Sequence, residues 1–387
     1  MNVNKAYDRG IIRGIVRFAR AKQSWSLYLE DDPLAKLLNF RHWQGDGVIA
    51  NFDDSQVVRA VRRRRIPVVA IGGGHVDRRS MTRIPYVRTD NQRIADLAAQ
   101  HFLDRHFRRF AYCGFPRTAV NPWSQQRATA FGRRINAAGF PCSSYTGRHR
   151  TAAQWQQLLN GLIDWLESLE KPVGVMACND ARARQVLEAC RQMGLNVPED
   201  VAVIGVDNDE IMCELADPPL SSVIQGADRI GDEAAALLES LIAGKRPPAK
   251  DRMVGPLGIV TRQSTDVLAI DDTTVLQAVR FIREHLDRQL KVRDVVQHVA
   301  ESRATLDKRF KRTLGRTVHD EIEHCRLERV KHLIQTTDLP LKQVARNAGF
   351  GSVQYMTTLV RRQLGRTPGQ LRKEKARLAG SPESTSF

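Results

Sequence analysis

The hydrophobic pattern changes period once along the chain, near residue 270, and that change divides it into two kinds of structure. Before it, GVIANF (47–52), IPVVAIGGG (66–74), RFAYCGF (109–115), VGVMACND (173–180) and VAVIGVDND (201–209) each carry a short apolar core followed by Gly, Asn or Asp. Near-continuous apolar runs of this length suit strands buried on both faces. Helical stretches such as 91–106 and 180–193 separate them, and strand–helix alternation predicts βαβ units with parallel sheets. Some 265 residues are too many for one five-stranded unit, so two lobes joined by crossovers are expected. After QSTDVLAIDD the period is 3.6: Val275, Val279, Ile282 and Leu286 share one face of a helix predicted over 275–288, with Asp272 and Thr273 as capping candidates. Everything from there to Arg372 reads helical. The predicted organisation is an α/β region over 1–265, a linker over 266–273, an all-α domain over 274–372 and a disordered tail over 373–387.

Charge sharpens this division. Over 387 residues, 60 Lys and Arg stand against 43 Asp and Glu, a formal charge of +17, and such a balance favours a polyanionic partner. Residues 270–387 hold 23 of the basic and 14 of the acidic residues, so more than half the excess sits in under a third of the chain. The six cysteines lie far apart with no CxxC pair, which argues for reduced thiols rather than a disulfide framework or zinc site. No apolar stretch approaches the ~18 residues of a membrane span, and the segment MNVNKAYDRG lacks the apolar core of a signal peptide, so a cytoplasmic protein is expected.

Within the helical part, LGRT occurs at 314–317 and again at 364–367. Each copy closes the same arrangement of short helix, turn and basic helix: VRDVVQHVA then SRATLDKRFKRTLG, and LKQVARNAGF then SVQYMTTLVRRQLG. That is a helix-turn-helix repeated, whose second helices could enter successive major grooves about 34 Å apart on double-stranded DNA. Candidate base contacts are Arg303, Ala304, Thr305, Asp307 and Lys308 in the first unit and Ser352, Val353, Gln354 and Thr357 in the second. Candidate phosphate clamps are Arg309, Arg312, Arg361, Arg362 and Arg366. The Ala348-Gly349-Phe350 turn, Gln354-Tyr355, Arg361-Arg362 and Gly365-Arg366-Thr367-Pro368 resemble the AraC/XylS DNA-binding domain over about 272–372. Met356, Val360 and Leu371 depart from that pattern, where aromatic residues are commoner, at positions expected to face the core.

In open α/β sheets, ligands bind outside the carboxyl ends of the strands. The residues there are Asp90 and Asn91, Asn179 and Asp180, Asp207 and Asn208, and Gln225, with Arg127 on a helix behind Trp123. Such groups suit a polyhydroxylated ligand, because each sugar hydroxyl both donates and accepts and a ring face stacks on an indole. The same Asn and Asp types also cap helices, an alternative that remains open for each position. The pattern resembles the LacI/GalR-type effector domain, which shares its fold with periplasmic sugar-binding proteins; the fold implied is an α/β, two-lobed, periplasmic-binding-protein-like domain followed by an all-α domain with two helix-turn-helix motifs. This resemblance implies that Asp90, Arg127, Asn179, Asp180, Asp207 and Gln225 line the ligand cleft, and adds Asn4, Tyr7, Asp8 and Arg182 to the candidates. That family's first strand precedes the segment corresponding to NKAYDR, so a start upstream of Met1 is expected.

A LacI-type sensor followed by an AraC-type reader is an unusual order, and NKAYDR, GDGVIANFDD, NDARAR, VIGVDNDE, LSSVIQGA and RQSTD are similar to the xylose operon regulators. The resemblance implies D-xylose as effector, with arabinose or ribose as alternatives, a homodimer on direct-repeat operator half-sites, contact with RNA polymerase and activation of xylose genes. No cofactor, metal or catalytic residue is expected. The histidines show no HxxxH pattern, Gly72-Gly73-Gly74 lacks phosphate-loop spacing, and Arg62 to Arg65 reads as a solvated helix end. A periplasmic solute-binding protein or a sugar-metabolising enzyme would leave the basic helical domain unexplained.

Overall fold

The computed structural model describes residues 1, 5–22, 24–29, 44–53, 55–62, 66–72, 84–116, 118, 121–147, 155–270 and 272–372. Asn4, Gly73, Gly74, the arginines at 63–65 and the tail at 373–387 lie outside the described residues. The chain separates into two compact units, Met1–Ala269 and Ile270–Phe387, with the division inside the stretch read as a linker.

The first unit holds two sheets. One has the order β1 (Val48–Asn51), β2 (Val68–Ile71), β3 (Tyr86–Thr89), β9 (Arg252–Val254), all parallel. The other runs β10 (Gly258–Val260), β8 (Ser221–Ile224), β7 (Val201–Val206), β6 (Val173–Ala177), β4 (Phe110–Cys113), β5 (Cys142–Tyr145) and is parallel except for β10. The backbone passes between the sheets after β3, after β8 through α8 (Ala227–Ile242), and between β9 and β10, which gives the two lobes their crossovers. Every residue of β4, β6 and β7 is buried. Alternate side chains enter different cores: Val173, Val175 and Ala177 pack with α5 (Trp155–Glu167) and α6 (Asp180–Met193), whereas Met176, Ile204 and Val206 pack with α3 (Asn91–Leu103) and α4 (Pro122–Ala137). Helices on both faces make the strands apolar at every position. The helix read over 180–193 forms with those bounds. The one read over 91–106 ends at Leu103, before a turn in which His106 takes φ +65°.

The first lobe depends on a close helix pair. α1 (Ala6–Lys22) lies against α8 so tightly that a Cβ on Gly14 would sit 2.0 Å from the Asp228 carbonyl oxygen, and one on Gly231 would sit 2.0 Å from that of Ile11. Ile11, Ile15, Ile230, Ala234 and Leu238 fill the interface and the sheet face beneath. Arg17 with Asp232, and Lys22 with Glu239 at 3.2 Å, pair along its edge.

The second unit is α9 (Thr273–Glu284), α10 (Val292–His298), α11 (Arg303–Leu314), α12 (Val318–Thr336), α13 (Leu341–Asn347) and α14 (Val353–Leu364). α9 stops at Glu284 rather than 288, so Leu286 lies beyond it, and the Leu286 carbonyl would be 2.1 Å from a Cβ on Gly349 (φ +74°). That carbonyl forces glycine into the Ala348-Gly349-Phe350 turn. Ser302 and Ser352 cap α11 and α14, and Gly315 and Gly365 end them in the left-handed conformation, so the 50-residue repeat is a structural one. Met356 and Val360 are fully buried with Leu327, Val330 and Phe350, and Leu371 packs against them. No helix among the described residues is long and apolar enough to cross a membrane.

Gly14→Ala should lower the stability of the first unit by about 3 kcal/mol, since the clash is with backbone. Gly132→Ala on the open face of α4 should raise it by roughly 0.5–1 kcal/mol. Thermal denaturation of the two variants checks both signs.

Candidate functional site

The carboxyl ends of β6, β7 and β8 and the amino ends of α3 and α4 converge on one guanidinium. Arg127, buried on the first turns of α4, donates from Nε to Asn91 Oδ1 (2.9 Å), from Nη1 to the Cys178 carbonyl (2.6 Å) and from Nη2 to Gln225 Oε1 (2.8 Å). Gln225 is thereby oriented so that its Nε2 donates to Asp207 Oδ1. The Trp123 indole lies one helical turn away with the guanidinium carbon 5.0 Å from its ring centre. A polar ridge beside an aromatic face is the surface a sugar ring needs.

The other lobe faces this ridge with Tyr7 and Asp8 at the start of α1. Tyr7 Oη lies 2.8 Å from Thr89 Oγ1, and the charges of Asp53, Arg127 and Asp8 all act on it. Burial raises the Tyr7 phenol, so it stays protonated and able to donate. Asn51, the last residue of β1, and Asp53 just after it belong to this face: the Asn51 Oδ1 accepts from the Asp53 N–H at 2.9 Å, and a Cβ on Gly72 would meet both side chains. Neither was among the sequence candidates, although the strand-end rule that selects Asp207 applies equally to them.

Asp207 and Asp180 sit on the second lobe, and burial pushes both carboxyls upward. The Asp207 charge adds to the rise of Asp180, while Arg127 and the Gln225 amide pull Asp207 back. Asp180 accepts from Ser222 Oγ (2.6 Å) and the Asp209 N–H (2.8 Å), so its carboxyl is tied into the fold. Asp90 and Asn179 each accept from the backbone N–H three residues on, Arg93 at 3.0 Å and Arg182 at 2.9 Å; both therefore cap helices as well as standing at the strand ends. Asn208 turns away from Arg127 and accepts from Arg262 at 3.0 Å. Arg182 is buried, with its Nη1 donating to Gln185 (2.7 Å) and its guanidinium 5.4 and 5.6 Å from the rings of Phe115 and Tyr145. Those two rings, absent from the sequence candidates, make an apolar wall around a cation whose Nε has no hydrogen-bond partner among the described residues. The six cysteines are free; burial lifts Cys142, Cys178 and Cys190 to about 12, which keeps them as thiols. No group of His, Cys, Asp and Glu suited to a metal ion occurs among the described residues.

In the second unit the candidate nucleic-acid contacts divide by geometry. Arg303, Ala304, Thr305, Lys308, Gln354, Arg361 and Arg366 are exposed and Thr357 is half-buried. Asp307 instead accepts from the Val318 N–H (3.1 Å), Ser352 accepts from the Tyr355 N–H (3.1 Å) as a cap, and Val353 packs against the core of α12 to α14. Arg309 donates to both Asp272 oxygens at 3.0 Å, Arg312 reaches the same carboxylate at 3.2 Å, and Arg362 donates to Glu323 at 3.0 Å. Arg309, Arg312 and Arg362, all assigned to phosphates, are thus paired with carboxylates of their own unit.

Comparison with known proteins follows the same division. Residues 1–92 match the XylR N-terminal domain family, 99–265 the periplasmic binding protein-like domain and 295–374 a helix-turn-helix domain. The xylose operon regulatory protein of Escherichia coli (strain K12) is 35% identical over 372 residues, covering 96% of this chain and 95% of the relative. That of Haemophilus influenzae is 33% identical over 96% of each. A solved structure of a xylose-binding transcription activator, xylR, is 34% identical over 96% of both chains with a TM-score of 0.63. A LacI family regulator from Enterococcus faecalis V583 with bound ribose shares the fold of the first unit, with a TM-score of 0.53 at 20% identity over 70% of this chain.

Because the folded state holds Asp207 protonated to higher pH than the unfolded chain does, it binds more protons, and the pair's contribution to stability falls as pH rises from the ordinary carboxylate range toward the raised values. Asp207→Asn removes the Asp207 part of that dependence and eases the rise of Asp180, which burial still holds up. Its melting temperature relative to the natural chain should therefore increase from about pH 4 to pH 7, as measured by melting in a series of buffers.

Proposed function

The chain belongs to the xylose operon regulatory protein family, and from that membership we propose that it is a sugar-responsive, sequence-specific DNA-binding transcription regulator that takes D-xylose in the cleft of its first unit and activates xylose genes. The observation that carries the effector half is the Arg127–Gln225–Asp207 network, with a protonated Tyr7 opposite. Fixed donors and acceptors of this kind pair with a ring of hydroxyls, and a site built to hydrogen-bond an OH rejects the analogue lacking it. Asn91, Trp123, Arg182 and Asp90 complete the ligand surface in this reading. Arabinose or ribose is the alternative effector, since one inverted hydroxyl alters geometry and not the residue types required.

The DNA half rests on the repeated helix-turn-helix. Arg303, Thr305 and Lys308 on α11 and Gln354 and Thr357 on α14 read bases, and Arg361 and Arg366 hold phosphate. Two readers in one chain fit direct-repeat half-sites, and a homodimer in the cytoplasm contacting RNA polymerase is the assembly proposed. Sugar acts by population shift: it binds one conformation of the first unit more tightly and so favours the DNA-binding arrangement that goes with it.

Calorimetric titration with D-xylose, L-arabinose and D-ribose in parallel tests the effector. Heat selective for xylose is expected, and Arg127→Ala should weaken binding by about 100-fold, because it leaves Asn91, Gln225 and the Cys178 carbonyl without their charged donor. Binding of another pentose alone replaces xylose, and no binding of any pentose overturns the effector reading. On operator DNA, Gln354→Ala should lose about 1–3 kcal/mol of discrimination at one base pair, whereas Arg361→Ala should weaken all sequences alike and reduce the salt slope by about 0.9. Salt-dependent binding assays with matched and mismatched operators separate the two.

A further inference from the structure

Three consecutive side chains on the turn after β7 point to three different places. Asp207 accepts from Gln225 in the Arg127 network, Asn208 accepts from Arg262 Nη1 at 3.0 Å, and Asp209 pairs with Arg9 of α1 on the opposite lobe at 3.0 Å. This division needs an unusual backbone. Asp207 has φ +118° and Asn208 φ +51°, two adjacent non-glycine residues at positive φ, a conformation that costs energy and persists only where the surroundings enforce it. What enforces it is a set of bonds on each side: the Asp207 N–H donates to the Val223 carbonyl (3.0 Å), the Asn208 N–H to Ser222 Oγ (3.0 Å) and the Asp209 N–H to Asp180 Oδ2 (2.8 Å).

Arg262 opens the segment that leaves the first unit. Between Arg262 and Ala269 that segment is hydrogen-bonded to the second lobe at four residues, Arg262, Ser264, Thr265 and Ala269. Arg262 Nη1 also donates to the Leu220 carbonyl (2.8 Å), and its N–H donates to Ser221 Oγ (2.8 Å). Ser264 Oγ donates to the Val203 carbonyl (2.7 Å), Thr265 Oγ1 to Ser221 Oγ (2.7 Å), Arg105 Nε to the Thr265 carbonyl (2.7 Å) and the Ala269 N–H to the Arg105 carbonyl (2.9 Å). His101 Nε2 lies 2.8 Å from Thr265 Oγ1 in the same buried network. The second unit begins at Ile270. Arg262 is thus joined, through a segment hydrogen-bonded to the second lobe, to the residue where the helical unit starts.

We infer that Asn208 and Arg262 are positioning residues that carry effector occupancy and lobe closure, sensed by Asp207 and Asp209 on the same strained turn, into the segment that leads to the helix-turn-helix unit. The inference rests on the sugar-regulated DNA binding proposed above. Neither residue touches the sugar in this mechanism. Asn208 acts because its neighbours on the turn answer to the ligand and to the opposite lobe while its own amide holds the exit segment; a turn with one strained arrangement to lose is a two-state element that both sites can bias.

The test compares the natural chain with Asn208→Gly and Asn208→Asp. Glycine accepts φ +51° without strain, so Asn208→Gly deletes the link to Arg262 and relieves the strain at that position while leaving a folded chain. Asp tolerates the same backbone and still offers an oxygen to Arg262. For each chain, pentose affinity is measured by calorimetry, and operator DNA affinity with and without saturating sugar by fluorescence anisotropy. Coupling in ligand-switched proteins is typically about 5- to 150-fold, and a ratio in that range is expected for the natural chain. Asn208→Gly should bind sugar within about threefold of it while its DNA ratio collapses toward one; Asn208→Asp should restore the ratio. A natural-sized ratio in Asn208→Gly overturns the inference and leaves the regulator reading standing. Loss of sugar binding in Asn208→Gly also overturns it, since Asn208 would then be a ligand contact. A natural chain whose DNA affinity ignores every pentose overturns the regulator reading itself, and the inference with it.

Discussion

Among the described residues the Arg127 guanidinium hydrogen-bonds to no carboxylate, and that sets the arrangement of the strand-end side of the second lobe. Its donors go to an amide oxygen of α3, a carbonyl after β6 and an amide oxygen after β8. A buried cation held by neutral acceptors is stable only if all are placed together, because each one lost leaves an unsolvated donor. The helix ends and strand ends that supply them are consequently fixed in mutual register. The Asp207 carboxylate stands one step away, through Gln225, so the site keeps both a cation and an acid without letting them neutralise each other as a closed pair. A polar ligand can then find donors and acceptors already oriented, which is the pre-organisation that gives a binding site its selectivity.

The helical unit solves a related problem with excess charge. Basic recognition helices repel themselves, and in each half one carboxylate of the framework holds an arginine in place: Asp272, the cap of α9, takes Arg309 and Arg312, and Glu323 on α12 takes Arg362 and the hydroxyl of Tyr355 at 2.5 Å. The serine caps and left-handed glycines recur at the same offset of 50 residues. Two copies of one solution leave Arg303, Lys308, Gln354 and Arg361 outward on the helices that precede the glycine ends. Of these, Arg303 lies 3.8 Å from Asp307 of its own helix, so residue type alone does not separate the cations held by the framework from those that stay outward.

Legibility in the sequence followed burial. Strands buried on both faces, β4, β6 and β7, were readable because every side chain is apolar; β5, with the sequence CSSY and no buried residue, and β9, with Arg252 and Met253 exposed, were not. α6 was readable to its last residue because Asn179 caps it and Gly194 stops it, whereas α9 was read four residues too long because Leu286 continues the apolar period after the hydrogen-bonded helix has ended. The strand-end rule pointed to Asp207 and Gln225 but passed over Asn51 and Asp53, and it could not say that Arg127, on a helix, would bond to Gln225, or that Asn208 would face Arg262, 54 residues away.

By itself, the sequence determined that the chain has an α/β part and a basic helical part, that the helical part is duplicated, and that polar residues gather at strand ends. Periodicity, repeat offset and charge density are local quantities, and a single chain displays them without folding. Tertiary structure alone decided which of two adjacent polar residues joins the Arg127–Gln225 network, which arginines are held by carboxylates, and where the exit segment is tied. Those outcomes depend on the direction a side chain leaves the backbone and on partners far away in sequence, such as Asp207 and Asn208 parting at two positive φ angles, and composition carries no record of either.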